Sequence, residues 1–275
     1  MGLRVTTNMA SIAAQRSLAA QSKKLEHASQ ALSTGSRIVR AADDSAGLAI
    51  SENMKSEIRA TAQARSNAFN AISATQVGEG GLSEVSNLIT RLRELGVQAA
   101  SDSVGQKERQ YLQLEAKSLS DEIDRIAKTT KFGEKMLLDG SNAAFDFHVG
   151  SDSGKENIIT YRIEGNATSS ELNLDSVDIT SKSGARDLLS NAEQALEKVS
   201  TMRASFGAIQ SRLESTVNGL DVKYENMSAA RSRIADADIA KESSDLASAT
   251  MLQSAGLSVL AQANQQPYAV MKLLG

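Results

Sequence analysis

Cysteine and tryptophan are absent from this sequence, and proline occurs once, at Pro267. Without cysteine there are no disulfides, no cysteine-ligated metals and no thiol chemistry, and the redox compartment stays open. With one proline near the end, almost all of the 275 residues are free to be helical. Aromatics make up only 3%, and the 41% apolar fraction is largely aliphatic and alanine. Such a composition suits thin interfaces between helices better than a thick globular core. A formal charge of −3 leaves no basic footprint, so nucleic acid is not an expected partner. No run approaches the ~18 apolar residues of a membrane span, so no membrane partner is expected either. Met1 to Met9 lacks the apolar run of a secretory signal, and any export would take another route.

What is present is a long heptad pattern. From Ala192, steps of four and three residues reach Leu196, Val199, Arg203, Phe206, Gln210, Leu213, Val217, Leu220, Tyr224, Met227, Arg231 and Ile234. This is a coiled-coil seam, and one continuous helix of that span would be roughly 65 Å long. It needs helical partners along its length, and the rest of the sequence offers them. A seam runs through Met54, Ile58, Ala62, Arg65, Phe69, Ile72 and Gln76. It resumes at Leu82, Val85, Ile89, Leu92, Gly96 and Ala99 after Gly78-Glu79-Gly80-Gly81, which should weaken the helix locally. A turn at 101–105 leads to a further stripe, Leu112, Ala116, Leu119, Ile123 and Ile126, expected to lie antiparallel to its neighbour.

The two ends differ from this interior. Val5, Ile12, Leu18, Leu25 and Leu32 mark a narrow stripe otherwise filled by Ala, Ser and Gln. Ile239, Leu246, Leu252, Val259 and Leu260 mark a similar one that Gln266-Pro267 is expected to end. Stripes this narrow repay little of the ~1–2 kcal/mol that ordering each residue costs. Both ends are therefore expected to be disordered in an isolated monomer. Between Lys131 and Lys182 the period changes to two: Phe145, Phe147 and Val149 alternate, as do Ile159, Tyr161 and Ile163, around the turn residues 150–154. One or two β-hairpins are expected there, at the far end of the helices. The fold class is thus mainly α: an elongated antiparallel helical bundle or coiled coil with a small β-hairpin region in mid-chain.

Gly35 is expected to stop the first helix, and Asp43 or Asp44 to cap the second while pairing with Arg37 or Arg40. Neither a third carboxylate nor a histidine lies beside that pair in sequence, so a metal or acid–base site is not expected. His27 and His148 fall on a helix and a strand, and Gly78–Gly81 lacks the Lys-Ser/Thr of a phosphate loop. No catalytic residue, metal or cofactor is expected, and the protein is read as a non-enzyme. Arg231 and Arg233, followed by Asp236 and Asp238, bring both charge signs to where inner and outer helices join, and are candidates for interdomain or intersubunit salt bridges. The seam residues Arg203, Gln210 and Arg231 either set register or reach solvent. Asn166-Ala-Thr168 and Asn226-Met-Ser228 fit the glycosylation pattern, a weak signal.

Several runs carry a resemblance: Leu32-Ser-Thr-Gly-Ser-Arg-Ile38 through Ala42-Asp-Asp-Ser-Ala-Gly-Leu-Ala-Ile50, Arg91-Leu-Arg-Glu-Leu-Gly-Val-Gln98, Glu122-Ile-Asp-Arg-Ile-Ala127, and Ser228–Asp238 through Ser258–Gln265. In this order they closely resemble bacterial flagellin, over about 1–140 and 185–275. The resemblance implies a structural subunit that self-assembles into a filament of many copies, with ends that order on polymerisation. It implies residues 1–42 and 236–275 as inner-core helices, with Leu257 among their contacts. Residues 43–140 and 185–235 would form an outer helical layer, and 141–184 a short variable segment. Implied partners are the type III export apparatus, an export chaperone, filament cap and hook-junction proteins, and an animal innate immune receptor contacting Arg91, Leu95, Gln98 and Glu115. Many recognised members have Gln where this chain has Thr90. The implied location is extracellular, in the flagellum, with a sheathed or periplasmic filament left open. A related hook–filament junction protein is the alternative. A cytoplasmic coiled-coil scaffold is the reading from another class, and the weak termini argue against it.

Overall fold

The computed structural model describes residues 7–141, 144–162, 166–176 and 178–274, so Val5 and Ile163 lie outside the described residues. Five helices carry the chain: α1 Met9–Thr34, α2 Ser45–Ala100, α3 Gln106–Thr129, α4 Lys182–Ala235 and α5 Ile239–Leu274. Two antiparallel pairs of short strands lie between α3 and α4. They are β1 Lys131–Phe132 with β2 Lys135–Met136, and β3 Ala144–His148 with β4 Ile158–Arg162. The chain divides into two compact units, 59–225 and the two ends, 1–58 with 226–275.

In the unit of residues 59–225, the heptad seam of α4 meets α2 with opposite direction. Arg65 pairs with Asp221, Gly78 lies against Phe206, and Gly96 against Leu188 and Leu189. Leu82, Val85, Ile89, Leu92 and Leu95 of α2, Ala116 and Ile123 of α3, and Leu188, Val199 and Phe206 of α4 form one buried core. The partners that the seam required are therefore α2 and α3. Helix α2 passes through Gly78–Gly81 unbroken. A Cβ on Gly78 would sit 2.8 Å from the Phe206 ring, and one on Gly81 2.8 Å from Leu138 and Thr130. These glycines let neighbours approach the backbone, which offsets their low helix propensity. Arg203 pairs with Glu79 at 3.7 Å, and Gln210 donates to Glu214.

The β3–β4 register, Phe145 opposite Tyr161 and Phe147 opposite Ile159, puts the alternating apolar residues on one face. That face does not sit at the far end of the helices. Val149 and Ile159 pack on Ala68 and Ala71 of α2 and on Ile209, Leu213 and Val217 of α4, and Asn67 donates to the His148 carbonyl. A two-stranded ribbon cannot shield its apolar side alone, and α3 leaves this stretch of the α2–α4 pair uncovered.

One segment gives no periodic signal in the sequence. Residues 166–176 and 178–181 form a strap along α3: Ser169 donates through N and Oγ to Asp124, Ser120 donates to the Leu174 carbonyl, and the Ile179 N–H donates to Gln113. Leu172, Leu174 and Ile179 are buried in the core beneath it.

The C-terminal helix also differs from the expected boundary. It does not stop at Gln266-Pro267 but continues to Leu274. Proline removes one helical hydrogen bond, and a helix tolerates this where another donor reaches the freed carbonyl.

Candidate assembly surface

In the unit formed by the two ends, α1 and α5 pair antiparallel along their lengths. Asn8 and Ser11 meet Ala263 and Asn264, while Ser22 meets Gln253. Further along, Lys24 and His27 line a groove of about 360 Å³ with Lys241, Glu242 and Asp245. Among the described residues the buried side chains of this pair are small: Ser11, Ala28, Ala31, Ala249 and Ala263. Gly256 lies so close to α1 that a Cβ there would be 3.3 Å from Leu18. Small residues bring the two backbones together and leave the larger side chains at the flanks.

The expected inner-core residues divide accordingly. Leu18, Leu25, Leu32, Leu246 and Leu260 are half-buried, whereas Ile12, Leu252 and Leu257 are exposed. Met9, Met251 and Val259 are exposed with them. Each apolar side chain of this size gains roughly 1.5–3 kcal/mol when it is removed from water. The pair thus carries an outward apolar surface that a single chain does not cover.

The two ends are also joined where α1 leads to α2 and α4 to α5. Gly35 takes a left-handed conformation (φ 69°) that ends α1. Its carbonyl accepts from the Ala237 N–H at 2.9 Å, and the Arg37 N–H donates to the Ala235 carbonyl at 2.8 Å. Ser36 Oγ donates to the same Ala235 carbonyl, and the Arg37 guanidinium donates to the Ile234 carbonyl. The last carbonyls of α4 are therefore satisfied by residues 36 and 37. In the sequence Ser36 stands only as one residue of the run Leu32–Ile38, and its place beside Gly35 is the one hint of this use.

Of the charged residues expected here, Arg37 pairs with Asp44 at 3.1 Å, and Asp44 caps α2 by accepting from the Gly47 N–H. Asp43 instead accepts from the N–H groups of Arg40 and Val39 and lies 3.4 Å from His27, while Arg40 pairs with Glu26. The Arg40 N–H, aided by that of Val39 and by His27, holds the Asp43 carboxyl below its usual range. The Gly47 N–H, followed by Arg37, does the same for Asp44. Arg231, Arg233, Asp236 and Asp238 form no ion pair with one another among the described residues. Asp238 caps α5 through the Ala240 and Lys241 N–H groups, and Arg231 Nε is buried without a hydrogen-bond partner.

In the unit of residues 59–225, Arg91 forks onto Glu115 with Nε and Nη2 at 3.0 and 2.8 Å and also reaches Glu94. Gln98 and Glu115 are exposed; Leu95, at 1% exposure, belongs to the core. Among the described residues no cluster of three His, Asp or Glu side chains could hold a metal ion. Among the described residues no helix is long and apolar enough to cross a membrane.

Comparison with known proteins agrees with this architecture. Residues 5–143 match the family model for the bacterial flagellin N-terminal helical region, and residues 189–274 match that for the C-terminal helical region. A flagellin of Halalkalibacterium halodurans is 38% identical over 98% of this chain and 99% of its own length. The flagellar filament 33 kDa core protein of Treponema phagedenis is 37% identical, with the same shares of both chains covered. Among solved structures, Bacillus cereus flagellin matches with a TM-score of 0.51 at 26% identity, covering 60% of this chain and 94% of its own. With both helical regions matched and relatives of this identity spanning nearly its whole length, the chain belongs to the bacterial flagellin family.

Proposed function

We propose that this chain is the structural subunit of a bacterial flagellar filament and works by coupled folding and association. The observation that carries this reading is the terminal pair α1·α5, whose interior is Ala and Ser while Met9, Ile12, Met251, Leu252, Leu257 and Val259 face outward. Further copies of the same pair would cover those side chains. Ordering of residues 1–42 and 236–275 is then driven by burial against neighbouring subunits and forms the inner core. Residues 43–140 and 185–235 form the layer around it.

This task is mechanical and needs no catalytic group. The chain leaves the cell through the flagellar type III export apparatus with an export chaperone, and is placed between hook-junction proteins and a filament cap, outside the cytoplasm. Arg91, Gln98 and Glu115 present the face that an animal immune receptor would contact, with Leu95 holding that face from within the core. The test is hydrogen exchange on monomer and on polymer seeded with filament fragments, with electron microscopy of the product. Residues 9–32 and 239–265 gain protection only in the polymer. Equal, strong protection in the monomer, or no filaments at all, overturns the reading.

A further inference from the structure

We propose that Asn8 is a positioning residue that fixes the register of the two terminal helices by supplying the donor that Pro267 removes. Helix α5 continues through Pro267, which has no N–H for the carbonyl four residues earlier, that of Ala263. Ala263 is buried, at 6% exposure, so water is a poor substitute. Asn8 Nδ2 donates to this carbonyl at 2.7 Å. The other end of the same amide is occupied: Asn8 Oδ1 caps α1 by accepting from the Ser11 N–H at 3.0 Å. The cap orients the amide, and the amide then reads a single position on α5.

That position is unique because Pro267 is the only proline. Along the rest of the interface Ala28, Ala31 and Ala249 make small apolar contacts that discriminate weakly between registers. Sliding one helix by a turn, about 5.4 Å, would leave the Ala263 carbonyl bare and present Asn8 to a carbonyl already bonded within its helix. A lone asparagine in a seam sets coiled-coil register by the same logic of one satisfied and many unsatisfied alignments. Ser11 Oγ, 2.8 Å from Asn264 Oδ1, supports the same alignment one residue further.

The inference rests on the filament reading, in which this helix pair orders on assembly, so cross-links are read on seeded polymer and the critical concentration is a second readout. The full chain has no cysteine, so paired cysteines report register cleanly. Ser22→Cys with Gln253→Cys reports the observed alignment, since these side chains are 3.3 Å apart. Ser22→Cys with Ala249→Cys or Gly256→Cys reports slippage by one turn, and Arg65→Cys with Asp221→Cys reports intact folding elsewhere. Asn8→Asp keeps the acceptor that caps α1 but sets acceptor against acceptor at Ala263. Its expected effect is a loss of about tenfold in the ratio of aligned to shifted cross-link, the scale of one unpaired buried carbonyl. Pro267→Ala gives the Ala263 carbonyl back its helical donor, the N–H of residue 267, and in that background the effect of Asn8→Asp shrinks to about twofold or less. The critical concentration for polymerisation follows the same pattern. An unchanged cross-link ratio in Asn8→Asp, or an equal effect with and without Pro267, overturns the proposal. Loss of polymerisation in every variant, the parent included, counts against the filament reading alone.

Discussion

Arg37 donates twice to the carbonyl oxygen of Ile234, from Nε at 3.1 Å and Nη2 at 2.8 Å, while Nη2 also reaches Asp44. The last carbonyls of a helix have no partner within it, and here the first turn after α1 provides one for the end of α4. Arg37→Ala should lower stability by about 1 kcal/mol, near the low end for an unpaired carbonyl because the side chain is half exposed. Arg37→Lys should lie between, since one ammonium cannot reproduce a planar fork. Urea unfolding, with amide exchange over residues 230–237, measures both; no change in either variant would show the fork to be dispensable.

Two neighbouring features of the long helices should respond in opposite directions to added side chains. Gly78 faces the Phe206 ring, itself buried, so Gly78→Val should destabilise the chain by about 1–3 kcal/mol through overpacking. Nothing lies within 4 Å of a Cβ added at Gly207, and Gly207→Ala should stabilise by up to about 1 kcal/mol through helix propensity. Thermal unfolding of the two variants decides the matter, and a stabilised Gly78→Val would contradict the close approach of α2 and α4.

The loop between α1 and α2 should loosen in acid. The carboxyls of Asp43 and Asp44 are both held below their usual range, by the Arg40 and Gly47 N–H groups first of all. Depressed carboxyls bind protons less readily in the folded than in the unfolded chain. Their contribution is thus complete above the ordinary carboxylate value, about pH 4, and is lost as pH falls through the lower folded values. Exchange of the Arg40 and Gly47 amides, corrected for intrinsic rate, should quicken across that interval. Asp43→Ala should already exchange quickly at Arg40 at neutral pH. A flat profile at both amides would rule the mechanism out.

The seam through Val199, Phe206 and Leu213 was legible because large apolar residues at heptad spacing face one way and are buried. The β3–β4 pair was legible for the equivalent reason at period two. Local chemistry says that a helix should end at Pro267, whereas its cost is met by Asn8, more than 250 residues away in sequence. The strap of residues 166–176 and 178–181 was invisible because its order comes from Asp124, Ser120 and Gln113 on another element, not from any pattern of its own. At the ends, leucine spacing located α1 and α5 but could not show that Ala and Ser occupy the interface and leave leucines at its flanks.

That last arrangement separates folding from assembly. Leu213 is fully buried between α4, α2 and the β3–β4 face, and a carboxylate there finds neither water nor a cation. Leu213→Asp should cost more than about 4 kcal/mol and unfold the unit of residues 59–225. Leu257 is 54% exposed on α5, so Leu257→Asp should leave the monomer within about 0.5 kcal/mol of the parent. In the polymer the same carboxylate would face apolar surface from another copy, and seeded growth should stop. Leu260, half-buried against α1 in the ordered pair, lies on the same helix, and Leu260→Asp should likewise leave the monomer folded and block growth. Urea unfolding of each monomer, paired with sedimentation after seeding, places the three variants on two axes. Should Leu257→Asp unfold the monomer as badly as Leu213→Asp, or polymerise normally, the outward face of α5 would not be the surface that seals the filament.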